Sequence, residues 1–140
     1  MGTIEVFDHT ADVGLRIRGD DLDDLFRTAA EGLVDYVVAN REAVRVERVE
    51  PVALRAESTA DLLFAWLDEL IFRTETGHVL YGRFDVSVSG DGLSLEAEIG
   101  GEPIDPDRHA LDHEVKAVTR HGFVLGREGA GWMAELILDI

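Results

Sequence analysis

Val79-Leu80-Tyr81-Gly82-Arg83-Phe84-Asp85-Val86-Ser87-Val88-Ser89 leads through Gly90-Asp91-Gly92 into Leu93-Ser94-Leu95-Glu96-Ala97-Glu98-Ile99. Phe84, Val86 and Val88 recur at every second position, as do Leu93, Leu95, Ala97 and Ile99, which is the period of a half-buried strand. The Gly-Asp-Gly triplet between the runs is a hairpin signal, since glycine reaches the positive φ of tight turns. An antiparallel hairpin over 79–99 sets the kind of sheet that the rest of the chain must build on.

Working back from the hairpin, Gly77 is a natural helix stop. Before it, Leu62, Leu63, Trp66, Leu67, Leu70 and Ile71 follow helical spacing, and Ser58-Thr59-Ala60-Asp61 resembles a capping box with Asp in the acidic place. Ala43–Glu57 reads as strand through Val44, Val46, Val49, Val52 and Leu54, with Pro51 marking a bend or an edge. A first helix is opened by Asp20 and Asp21, with Asp23 and Asp24 against its N-terminal dipole. Leu22, Leu25, Phe26, Ala29, Leu33 and Val37 form its apolar stripe. Thr3–Phe7 and Val13–Arg18 read as strands around the polar turn Asp8-His9-Thr10-Ala11-Asp12. Beyond the hairpin come a polar loop over Gly100–Asp112 and strand-like segments at Glu114–Arg120, Gly122–Arg127 and Trp132–Leu138. The expected fold is α+β, one domain over 1–140: a two-layer, mostly antiparallel sheet with two main helices on one face.

Composition narrows the function classes. Apolar residues make up 46% of the 140, enough for a real core. No apolar run approaches the ~20 residues of a membrane span, and the start lacks the pattern of a secretory signal. The absence of cysteine removes disulfides, thiolate catalysis and Cys-ligated metals. A cytoplasmic protein without a membrane is expected. The net charge of −16, from 29 acids against 13 bases, repels phosphate backbones, so no stable direct nucleic-acid binding is expected. By charge alone, solubility explains this better than steering towards a basic partner does. Lys116 is the only lysine among the 13 bases, a compact ammonium where arginine is otherwise used.

No Walker loop, dinucleotide fingerprint or GxSxG motif is present, and Ser58, Ser87, Ser89 and Ser94 sit in cap, strand or hairpin contexts. No catalytic residue is assigned. His109 and His113 have the i, i+4 spacing of a zinc pair, but in a Pro-interrupted loop they read better as surface histidines. Asp105-Pro106-Asp107 reads as turn chemistry and not as a calcium loop. One candidate is less local. Asp12 lies in a turn, and Asp139 with the Ile140 α-carboxylate places two anions side by side at the other end of the sequence. Three such carboxylates would repel one another unless a cation sat between them, and an all-oxygen set selects Ca2+ or Mg2+. Nothing in the residues alone shows that the two ends meet.

Several segments, in order and in register, resemble the archease family. They are Asp8-His9-Thr10-Ala11-Asp12-Val13-Gly14, Leu62-Leu63-Phe64-Ala65-Trp66-Leu67-Asp68-Glu69-Leu70 and Arg108-His109. Glu114-Val115-Lys116-Ala117-Val118-Thr119-Arg120-His121-Gly122 and Trp132-Met133-Ala134-Glu135-Leu136-Ile137-Leu138-Asp139-Ile140 complete the set. The resemblance implies an antiparallel sheet with helices and a divalent metal, Ca2+ with Mg2+ as the alternative, held by Asp12, Asp139 and Ile140. It places Lys116, His9 and His121 in the motifs that face a partner. Arg120 departs from the pattern, where an aromatic residue is common, and this puts an aromatic partner contact in doubt.

The resemblance implies a protein cofactor of an RtcB-type RNA-splicing ligase. It therefore implies a non-enzymatic activator that promotes ligase guanylylation and repeated turnover in tRNA splicing or RNA repair. Two other classes compete with it: a small divalent-metal-dependent hydrolase, and a general chaperone without an essential metal. A thin supply of catalytic side chains weighs against the hydrolase.

Overall fold

Residues 2–9 and 12–140 are described by a computed structural model, the side chains of Asp8 and His9 excepted. In chain order the elements are β1 (Thr3–His9), β2 (Asp12–Gly19), α1 (Leu22–Val37), a 3-10 turn (Arg41–Ala43) and β3 (Arg48–Arg55). They continue with α2 (Thr59–Gly77), β4 (Val79–Val88), β5 (Ser94–Pro103), β6 (Ala117–Glu128) and β7 (Gly131–Asp139). Every strand pairing is antiparallel. The strands form two sheets, a four-stranded one in the order β1-β2-β7-β6 and a three-stranded one in the order β3-β5-β4. Helix α1 packs against β2 of the first sheet and β4 of the second, and α2 against β6, β4 and β3. The expected α+β architecture of two helices with antiparallel sheet is the one observed.

Local chemistry sets the helix starts as the sequence implies. The Asp21 side chain accepts from the Asp24 amide, and Asp24 in turn accepts from the Asp20 amide at 2.8 Å, so two donors at the start of α1 are satisfied reciprocally. Ser58 accepts from the Asp61 amide at 3.1 Å at the start of α2. At the other end, α2 runs through Gly77, and His78 takes the left-handed conformation at φ 53° that Gly77 was expected to supply. Its carbonyl accepts from the Ile104 amide at 2.8 Å, which ties the helix end to the exit of β5.

The core is anchored by Trp66, whose side chain is fully buried between the layers. Its indole N–H donates to the Phe26 carbonyl of α1 at 2.9 Å, and its ring meets Phe84 of β4 edge-on at 6.3 Å. One side chain thus joins both helices and the second sheet, and losing a group of this size from a core costs about 3–5 kcal/mol. On the first sheet Leu15, Ile17, Leu136 and Leu138 are buried towards the helices. The alternating residues Asp12, Arg16, Arg18, Glu135 and Asp139 therefore project to the opposite face.

Three expectations are corrected. The segment from Ala43 does not begin a strand, because the Arg45 amide donates to the Glu102 carboxylate at 2.6 Å and β3 starts only at Arg48. The loop expected from Gly100 is strand up to Pro103, where β5 stays paired with β4. The two segments expected around residue 121 are one strand, β6, with a bulge between Thr119 and Val124.

Candidate functional site

The pairing of β2 with β7 joins the two ends of the sequence. Asp12 lies directly opposite Asp139, Gly14 opposite Ile137 and Arg16 opposite Glu135. Directly opposed residues share a face, with Cβ atoms about 4.5–5.5 Å apart. The ladder therefore holds two contrasting pairs. Arg16 donates to Glu135 at 2.6 Å and to Glu5 at 3.1 Å, an attractive cross-strand set. At the end of the same ladder, Asp12 faces Asp139, a like-charge pair of the kind that destabilises a sheet. Among the described residues, neither carboxylate has an ion pair or side-chain hydrogen bond.

Between these pairs, Gly14 has a steric role. A Cβ there would lie 2.2 Å from the Phe7 ring, its register partner on β1, so only glycine lets this ring lie across the strand. The Arg16 guanidinium covers the Phe7 ring at 5.1 Å. His9 is the register partner of Asp12, which puts the main chain of β1 beside the aspartate pair. The His9 side chain lies outside the described residues, as do Thr10 and Ala11 of the turn.

On the other side of β7, Ala117 is opposite Asp139, and the Lys116 amide donates to the Asp139 carbonyl at 2.8 Å. Lys116, one residue before Ala117, is exposed, and Ile140, next to Asp139 in the chain, is 39% exposed. The structure thus brings Asp12, Asp139, Ile140 and Lys116 to one end of one sheet. His121 does not join them along the ladder. It sits in the β6 bulge, where its amide donates to the Thr119 hydroxyl at 2.8 Å and Gly122 adopts φ 68°. The bulge faces α2: Phe123 meets Phe64 edge-on at 6.4 Å, and Arg120 lies over Phe64 at 4.2 Å while pairing with Asp61 at 2.5 Å. The unusual Arg120 is therefore held within the molecule by α2. No sequence signal linked it to Asp61, because the contact depends on the bulge.

The matches to known proteins extend over this whole framework. The model of the Archease protein family (MTH1598/TM1083) matches residues 4–140. The chain belongs to the archease family. Protein archease of Methanopyrus kandleri is 36% identical over 138 residues, covering 97% of this chain and 98% of that one. Protein archease of Pyrococcus abyssi is 34% identical, covering 97% of each. The solution structure of Methanobacterium thermoautotrophicum protein 1598 superposes with a TM-score of 0.81 at 33% identity over 98% of both chains. An archease of Thermotoga maritima, described as a possible chaperone, shares the fold with a TM-score of 0.68 at 18% identity.

In this archease-family chain, the Arg108-His109 motif does not reach the sheet end. His109 is buried, which corrects the expectation of a surface histidine. Its Nδ1 accepts from the Asp105 amide at 2.9 Å, so the ring is the Nε2–H tautomer, and that nitrogen donates to Glu102 at 2.9 Å. Arg108 also pairs with Glu102. His113 instead stacks on Tyr36 at 4.2 Å, so the two histidines form no chelate. Burial opposes the charge on Glu102, but the Arg45 amide, the His109 ring and Arg108 outweigh it and hold its carboxyl down at about 2. This knot fixes the 102–110 segment, and only the apolar surroundings of a polar loop could have hinted at it.

The sign of its pH effect follows. A carboxyl lowered from 4.5 to about 2 adds stability that is complete above pH 4.5 and disappears as pH falls through about 2. Glu102→Gln should flatten the Tm profile across that interval. Thermal melts of both proteins from pH 2 to 6 check this, and parallel profiles would remove Glu102 from the account of acid stability. No helix among the described residues is long and apolar enough to cross a membrane.

Proposed function

We propose that this chain is an accessory activator of an RtcB-type RNA ligase, acting through a divalent cation held at the end of the four-stranded sheet. The observation that carries the reading is the register that sets Asp12 opposite Asp139, with Lys116 bonded to the same residue. Among the described residues no three His, Asp or Glu side chains cluster as a metal site. The proposed set has only two such side chains, and its third donor is the main-chain carboxylate of Ile140. The donors fit: they are all oxygen, as Ca2+ and Mg2+ require, and an opposed aspartate pair that makes no ion pair among the described residues is relieved by a cation. When bound, the ion supplies concentrated positive charge at an otherwise anionic tip.

The chain's own residues do the rest. Asp12 and Asp139 are held by paired strands, so their placement is rigid. Lys116, tied to Asp139 through its main-chain amide, offers a rotatable ammonium from the same end of the sheet. The acidic surface steers the protein towards a basic cleft built for RNA and phosphate, without affinity for RNA itself. Multiple-turnover joining of RNA ends by an RtcB-type ligase tests the reading. Added chain should raise the number of turnovers in the presence of Ca2+ or Mg2+, and should join nothing by itself. Equal turnover with and without the chain would count against the proposal, and RNA or nucleotide hydrolysis by the chain alone would favour the hydrolase.

A further inference from the structure

The C-terminal parts of α1 and α2, with the segment from Ile104 to Val115, border an open groove of about 650 Å3. That is within the roughly 300–1,000 Å3 range of functional pockets. Val37, Leu70, Ile71 and Val115 line it, and Leu111, which is 49% exposed, forms its lip. Its acidic groups are Glu75, Asp112 and Glu114, and no lysine or arginine lines it. Asp112 is within 3.5 Å of His113, whereas Glu75 and Glu114 are exposed and have no ion pair among the described residues. An apolar floor with an acidic rim suits a ligand that is apolar at its centre and cationic at its flanks.

The position of the groove argues for a protein segment. Glu114 and Val115 run directly into Lys116, whose amide bonds to Asp139, so one stretch of chain passes from the groove to the acidic sheet end. A partner that engages that end and follows the chain back through Lys116 and Val115 reaches the groove. We propose that the groove docks a partner-protein segment in which one or two large apolar side chains are flanked by Arg or Lys. Resting on the function proposed above, the partner is the ligase itself. The apolar anchors enter beside Leu111 and Ile71, while Glu75 and Glu114 meet the flanking cations.

The test uses two variants at exposed positions, Leu111→Asp and the double change Glu75→Lys with Glu114→Lys, each checked for wild-type circular dichroism. By calorimetry, each should raise the Kd for an RtcB-type ligase about tenfold or more, as expected for loss of an anchor. Both should still support full guanylylation at saturating concentration, whereas Asp139→Asn should lose guanylylation at unchanged Kd. Wild-type Kd in both groove variants would overturn the groove and leave the function standing. If the wild-type chain neither binds nor activates the ligase, the functional reading fails. The groove is then decided by NMR titration of labelled chain with a short Leu–Arg peptide. Shifts centred on Val37, Ile71 and Leu111 would support it, and shifts spread over the acidic surface, or none, would overturn it.

Discussion

Ca2+ should raise the Tm of the wild-type protein, and Asp12→Asn and Asp139→Asn should each abolish that rise. Binding to the native state stabilises it by about 2.7 kcal/mol at a hundredfold excess over Kd, so the lost shift is several degrees for a domain of this size. The two residues face each other across β2 and β7, and each change removes one of the two opposed charges. This gives a second, opposite signature. Without metal, either variant should be as stable as wild type or more so, by about 0.2–1 kcal/mol, because a like-charge cross-strand pair has been relieved. A purely structural aspartate would instead lower stability in both conditions. If the Ile140 α-carboxylate is a ligand, residues added after it should also weaken the Ca2+ response. Equal Ca2+ shifts in wild type and both aspartate variants would remove the metal from the account.

Lys116→Ala should lose activation while keeping the fold and the Ca2+ response. The side chain is exposed, and the tie to Asp139 is made by its main-chain amide, which the substitution leaves in place. Stability should change by less than about 0.5 kcal/mol. Lys116→Arg keeps the charge but replaces a rotatable ammonium with a longer planar fork, and should be only partly active. Single-turnover guanylylation at saturating concentration separates failed activation from weak binding. Wild-type activation by Lys116→Ala would leave the carboxylates alone as the site.

What could be read from the sequence was local. The Gly90-Asp91-Gly92 turn, the caps at Asp21 and Ser58 and the apolar stripe through Trp66 are short-range signals, and each element they announced is present. Departures came where a distant group captured a backbone donor. The Arg45 amide is taken by Glu102, so valines with strand-like spacing at 44 and 46 lie outside β3. His109 looked like a surface residue because its neighbours are polar, yet Glu102 and the Asp105 amide satisfy both ring nitrogens in the interior. The acidic pair is a third case. Its residues were visible as candidates, but their meeting depends on a pairing between strands near opposite ends of the chain. Periodicity carries no information about such a register. The order and spacing of the motifs did, through their resemblance to a family.

If the sheet end bearing Asp12, Asp139 and Lys116 acts on the guanylylation step of an RtcB-type ligase, as proposed, its effect is on the rate of that step. The most direct measurement is the single-turnover rate at which an RtcB-type ligase becomes covalently guanylylated, with wild-type chain and with Asp139→Asn, both saturating and with Ca2+ present. Wild-type chain should give a large acceleration and the variant none, at equal ligase binding. Equal acceleration by both proteins, or none by either, would contradict it.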